Sequence, residues 1–182
     1  MELRTMVVLA LLGTLVTSAT PLRAQQAAPA PAFAGNPLDT VPDKMPFDIP
    51  YGAPIALEHA QGAIAAAIAE AKKHDWKLNV AVVDSGGNLV AFQRMDGAQL
   101  ASIQIAEHKA RTSVSFRRET KVFENAVQQN AMPYVMSLDG VIASRGGIPL
   151  VQNGKMVGAI GCSGGTGSQD EVACKAGAAT LK

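Results

Sequence analysis

The chain has 182 residues, 48% of them apolar and 17% charged, the balance of a globular protein rather than a disordered one. Sixteen basic residues stand against fifteen acidic ones, so no broad positive surface for nucleic acid exists, and 4% aromatic residues leave little for base stacking. The length is enough for one domain with a real core and a substantial extra segment.

That extra segment comes first. Arg4 precedes an eleven-residue, mostly apolar run, Met6–Val16, and small residues follow at Thr17, Ser18, Ala19 and Ala24. The run is too short to span a bilayer and has the order of a secretory signal, residues 1–24, cleaved after Ala24 or, second, after Ala19. The expected location is periplasmic or secreted, with no membrane span left after cleavage. Residues 25–50 carry six of the ten prolines, many alanines and no apolar period, and read as an extended linker without chemistry of its own. Residues 51–182 are then the domain.

Pro54 suits a first helical turn, and Ile55–Lys73 is an alanine-rich helix with Ile64, Ile68 and Ala71 at helical spacing. His59 and His74, on it or at its end, read as solvated polar residues. Leu78–Asp84 is β-branched and apolar like an interior strand, and Ser85-Gly86-Gly87-Asn88 turns it into a second strand, Leu89–Arg94. Asp84 is expected to hold the amides of its own turn rather than to act chemically.

Asp96 followed by Gln99 reads as a helix cap, with Leu100–Phe116 the helix it starts. Ile103, Ala106, Ala110 and Val114 form the stripe expected to pack on the sheet. Ile105, His108, Thr112 and Phe116 form a second, partly apolar stripe, and Gln104, Glu107, Arg111 and Arg118 a polar edge. A helix with two partly apolar faces is covered on both sides, and His108 sits in the middle of the second. Glu119–Asn130 reads as another amphipathic helix. Leu138-Asp139-Gly140-Val141-Ile142 reads as a turn and a short strand.

The stretch Gly146–Gly165, GGIPLVQNGKMVGAIGCSGG, reads as two apolar strands joined by Asn153-Gly154, which accepts the positive φ angles of a tight hairpin. Gln152 then faces Lys155, Val151 faces Met156 and Leu150 faces Val157. Alternation puts Met156, Gly158, Ile160 and Cys162 on one face and Val157, Ala159, Gly161 and Ser163 on the other. Glycines at this density mean that another backbone, a helix or a ligand lies close against the sheet. A final helix, Ser168–Lys182, starts at a capping-box pattern, Ser168 with Glu171. The sum is α+β, with about five mostly antiparallel strands flanked by helices.

Four motifs in order carry a family resemblance: Val82-Val83-Asp84-Ser85-Gly86-Gly87, Arg94-Met95-Asp96-Gly97-Ala98, Lys109-Ala110, and the Gly146–Gly165 stretch with Gln169-Asp170-Glu171. The region Pro54–Lys182 resembles the GlcG/HbpS-like family, whose relatives include the C-terminal domain of PduO-type proteins. The resemblance implies a profilin-like or Roadblock-like sheet, assembly into homo-oligomers and, for the HbpS-like branch, haem as ligand with roles in haem degradation or iron handling. His108 is the candidate iron ligand. The macrocycle would lie along Ile105, Thr112 and Phe116, with Arg111 or Arg118 reaching a propionate.

Other chemistry finds less support. Ser163 lacks a placeable His/Asp pair, and the glycines at Gly161–Gly167 match no phosphate-loop spacing. Cys162 and Cys174 have no histidine near them for zinc; periodicity does not show whether they lie within bridging distance, so two buried or separate thiols are expected, with a disulfide between last strand and last helix as the alternative. The rival to haem binding is a small-molecule-binding or accessory subunit beside an exported oxidoreductase or sensor. Haem-degrading activity in its own right would need a catalytic constellation that the sequence does not display.

Overall fold

The computed structural model describes residues 41–45 and 47–181. The expected signal segment and most of the expected linker lie outside them. The compact unit runs Asp43–Lys182. Its elements are α1 (Leu57–Lys73), β1 (Asn79–Asp84), β2 (Leu89–Arg94), α2 (Ser102–Phe116), α3 (Lys121–Gln128), a 3-10 turn (Pro133–Ser137), β3 (Gly147–Gln152), β4 (Lys155–Ser163) and α4 (Gly167–Ala178). The four strands form one antiparallel sheet in the order β2-β1-β4-β3. The class is α+β as expected, with four strands rather than about five.

The missing strand is Leu138–Ile142. Thr112 on α2 donates its hydroxyl to the Gly140 carbonyl (2.7 Å) and accepts from the Ile142 amide (3.1 Å), so this backbone is satisfied by a side chain and needs no strand partner. A similar competition shortens α1. The Ile55 amide bonds to the Val157 carbonyl at 2.9 Å, which holds Ile55 out of the helix expected to begin there.

Two helices cover one face of the sheet and one covers the other. Ala60, Ile64, Ala67 and Ala71 of α1, with Ala173 and Cys174 of α4, pack on Val80, Val82, Leu150 and Ile160. On the opposite face Ala110 and Val114 of α2 pack on Val83, Met156 and Ala159. The Asn153-Gly154 turn forms as read, pairing Gln152 with Lys155 and Val151 with Met156. Leu150 then pairs with Gly158 instead of Val157, because Val157 is the extra residue of a bulge. That bulge flips the alternation, so Met156 lies on the α2 face with Ala159, opposite the expectation.

The glycine density has the cause anticipated for it. Gly147 and Gly161 are cross-strand partners. A Cβ on Gly161 would stand 2.0 Å from the Ala106 carbonyl oxygen, and one on Gly147 2.3 Å from that of Lys109. The α2 backbone therefore rests directly on a side-chain-free patch of sheet. This contact fixes the rotation of α2, and hence which residues it turns outward.

Near the chain's last helix two further expectations change. Thr166 rather than Ser168 is the N-cap, its hydroxyl accepting from the Gln169 amide while the Gln169 side chain returns to Thr166. Cys162 and Cys174 are joined by a disulfide, with their Cα atoms 5.7 Å apart, so the thiols are not separate. Seen from the sequence their spacing was silent; packing of α4 on β4 brings them within reach.

Candidate functional site around helix α2

With Ala106 and Ala110 pressed on the glycine patch, His108 falls about 200° round the helix from Ala106 and points to solvent. It is exposed, and among the described residues its imidazole has no hydrogen-bond or ion-pair partner. Beside it lies a cavity of about 620 Å³ lined by Gln104, Glu107, His108, Arg111, Ser115 and Gly140. The stripe containing His108 and the polar edge, read as separate faces, thus share one depression. Arg111 stands there one turn from His108, its guanidinium donating to Glu107 at 3.1 Å across an i,i+4 spacing.

The other two expected site residues are employed differently. Thr112 is buried, and its hydroxyl is taken up by Gly140 and Ile142. It shapes the cavity wall by holding Gly140 in place instead of offering a group to a ligand. Arg118 lies past the end of α2, where Arg117 adopts a left-handed conformation (φ 54°) that ends the helix. Its guanidinium sits 3.3 Å from the Phe47 ring centroid and donates to the Phe116 carbonyl at 3.0 Å. Burial lowers its pKa from the ordinary arginine value. It lines a separate apolar cavity of about 330 Å³ with Phe116, Phe123, Tyr134 and Leu138. His108 and Arg111 therefore come together, and Arg118 does not join them.

Phe47 belongs to the stretch read as linker. Together with Ile49, whose carbonyl accepts from Arg117, and Pro50, whose carbonyl accepts from the Met156 amide, it packs onto the domain.

One residue along from His108 the chemistry reverses. Lys109 is 1% exposed, and its ammonium donates to Asp170 at 2.8 Å and to the Cys162 carbonyl at 3.2 Å. Asp170, 2% exposed, also accepts from the Gly165 amide at 3.0 Å. Burial pushes the Asp170 carboxyl above the usual aspartate range, and the Lys109 charge opposes that shift without cancelling it. Gly146, with φ +113°, closes over the pair: a Cβ there would meet Asp170 at 2.8 Å and the Lys109 ammonium at 3.2 Å.

Its neighbour Glu171 shifts the other way. Burial raises it, but hydrogen bonds from Lys175 and Lys121 outweigh burial and hold it below the usual glutamate range. Arg145 adds a further cation at 3.5 Å and itself pairs with Glu124 at 2.6 Å. None of this was visible in the sequence, where a lysine on a helix reads as a polar face and Asp170 lies 61 residues away. The only available signal was that Lys109 and Asp170 both fall within recognisable motifs.

Among the described residues no group of three or more His, Cys, Asp or Glu side chains could hold a metal ion. Nor is any described helix long and apolar enough to cross a membrane.

The same fold and motifs occur in known proteins. The chain is 39% identical over 109 residues to protein GlcG of Escherichia coli K12, covering 60% of this chain and 81% of that one. A double mutant of Streptomyces reticuli HbpS superposes with a TM-score of 0.66 at 33% identity, covering 78% of this chain and 99% of the other. The structure of a PduOC:heme complex superposes with a TM-score of 0.64 at 26% identity, covering 71% and 96%. The family described as haem degrading protein HbpS-like matches residues 55–179. With that match across most of its length, the chain belongs to the HbpS-like family.

Proposed function

We propose that this protein binds haem at the outward face of α2, where His108 would ligate the iron and Arg111 would pair with a carboxylate of the macrocycle. The observation that carries the reading is the imidazole itself, exposed at the edge of a cavity and without a partner among the described residues. A cavity of about 620 Å³ lies within the range of cofactor pockets, ~300–1,000 Å³. The haem complex of the related PduOC domain supports the same ligand class. When bound, haem would supply a redox-active iron; this chain's own residues would hold and orient it.

Gly140 apart, the cavity is lined by residues with polar side chains and by no large apolar or aromatic one, so it furnishes a ligand and a cation but not the apolar cover a macrocycle needs. In this proposal the cover comes from a second copy of the chain, which makes the protein a homo-oligomer. The role is sequestration or storage of haem, or its slow breakdown, outside the cytoplasm. The buried Cys162–Cys174 disulfide supports export, since such bridges persist in oxidising compartments. Arg118, which faces the separate apolar cavity, is not part of the proposed site.

Titration of the purified protein with haemin is expected to shift the Soret band and saturate near one haem per chain. A spectrum equal to the sum of free haemin and protein would overturn the reading. It would also favour the second one, a binding or accessory subunit for a smaller polar molecule beside an exported oxidoreductase or sensor, which the polar lining suits.

A further inference from the structure

On the other side of the sheet from α2 lies a depression of about 380 Å³, between the last turns of α1 and the end of β2. Lys72, Lys77 and Arg94 converge on it, with Asp96 as the one carboxylate and with Ile68 and Met95 among its apolar lining. We propose that it is a binding site for a small organic dianion, a dicarboxylate or a phosphate monoester with a short apolar body.

The first argument is charge. The whole chain carries a net charge of only +1, yet three cations and a single carboxylate line this one depression. Among the described residues elsewhere, Lys73, Lys109, Arg111, Lys121, Arg145 and Lys175 all have carboxylates within 4.0 Å, while Arg117 and Arg118 lie against aromatic rings. Here Lys72 and Arg94 have none among the described residues. Lys77 has only Asp75, whose side chain is 89% exposed, and an ion pair that open to water is worth little and readily exchanged. The position of Lys72 in the last turn of α1 complements the helix dipole, but that accounts for Lys72 alone.

The second argument is that the backbone carrying two of these cations is held. The Met95 amide donates to the Leu78 carbonyl at 3.0 Å, and the Leu78 amide donates back to the Met95 sulfur at 3.5 Å. Arg94 is also the strand partner of Asn79. The backbone positions of Lys77 and Arg94 are thereby fixed on adjoining segments facing the same depression. A guanidinium takes a carboxylate or phosphate through two parallel hydrogen bonds, and two ammonium groups beside it match a second negative charge. Ile68 and Met95 offer the body of the ligand an apolar surface.

The motif Arg94-Met95-Asp96-Gly97 thereby acquires a role that the α2 face leaves unassigned. The site needs neither His108 nor haem, so it stands or falls separately from the function proposed above.

Calorimetric titration of the full protein at low ionic strength, with succinate in one arm and inorganic phosphate in the other, tests it. Saturable binding of either, one per chain, weakening as salt is added, is the expected result. The arm that binds identifies the anion class. Arg94→Gln, on an exposed edge position, should weaken that binding about tenfold while leaving the unfolding midpoint unchanged, and Lys72→Gln should weaken it less. His108→Ala should leave it untouched. Heat that never saturates in both arms, or binding that Arg94→Gln does not weaken, would overturn the proposal.

Discussion

His108 and Lys109 are consecutive on one helix, and the protein treats them in opposite ways. Lys109 is shut in by Gly146, paired with Asp170 and tied to the Cys162 carbonyl. His108 is open to solvent beside a cavity. The difference comes from the bare glycine patch at Gly147 and Gly161, which sets how α2 is rotated on the sheet. The inner half of the helix is then committed to holding α4 and β4, and the outer half is free to meet a ligand. Substitutions on the two halves should separate stability from binding.

The largest effect is expected on the inner half. Lys109→Ala leaves Asp170 buried without its counter-charge and should cost about 3–5 kcal/mol in urea unfolding. The double change Lys109→Met with Asp170→Leu, which removes both charges, should recover most of that loss. If the single substitution were nearly neutral, the buried pair would not be what joins α2 to α4.

Next comes the disulfide at the same end of α4. Replacing Cys162 and Cys174, twelve residues apart, by alanine should cost about 3 kcal/mol by the same measurement. Thr112 sits where the two halves meet. Thr112→Val removes both bonds to the Gly140–Ile142 backbone and should cost roughly 1–2 kcal/mol, with faster hydrogen exchange at the Ile142 amide. It should also weaken haem binding, since Gly140 forms part of the cavity wall.

The pH dependence sharpens the contrast within α4. Because Glu171 is held below the usual glutamate range, its contribution is present above the unfolded value, ~4.3, and is lost as pH falls through the lower folded value. Asp170 is raised, so its contribution is present below ~3.9 and is lost as pH rises through its folded value. Glu171→Gln should therefore flatten the acid side of the stability curve between those two glutamate values, whereas wild type loses stability there. The smallest stability effect belongs to the outer half: His108→Ala should change the unfolding free energy by less than about 0.5 kcal/mol.

Local pattern carried a good part of this architecture. The spacing of Ala106, Ala110 and Val114 identified the sheet-facing stripe of α2, Asn153-Gly154 identified the hairpin, and the glycines of β4 announced a close backbone. Asp84 does hold its own turn, accepting from the Gly86 and Asn88 amides at 2.8 and 2.9 Å. What escaped the reading depends on contacts distant in sequence. The Lys109–Asp170 pair and the Cys162–Cys174 bridge exist only once α4 is packed on β4, and no period or motif spacing encodes that distance. The bulge at Val157 lies where Tyr51, Gly52 and Ile55, about a hundred residues earlier in the chain, pair alongside β4, a contact that the hairpin's own sequence does not encode.

Thr166-Gly-Ser-Gln-Asp-Glu offers two overlapping capping boxes, and the earlier one, Thr166 with Gln169, forms. At the proposed site His108 and Arg111 were legible from the helix period. Arg118 lies apart from them because the helix ends at Arg117 before the period can carry it round.

The chain has three histidines, and only His108 borders the α2 cavity: His59 is exposed on α1, and His74 stacks on Trp76 with ring centroids 4.4 Å apart. Haemin titration of wild type and of the three single alanine variants, read by the Soret band and by electron paramagnetic resonance of the ferric complex, shows whether His108 ligates the iron. Loss of the imidazole-ligated signal in His108→Ala, with His59→Ala and His74→Ala behaving as wild type, is the predicted result. An unchanged signal in His108→Ala would mean that another group ligates the iron.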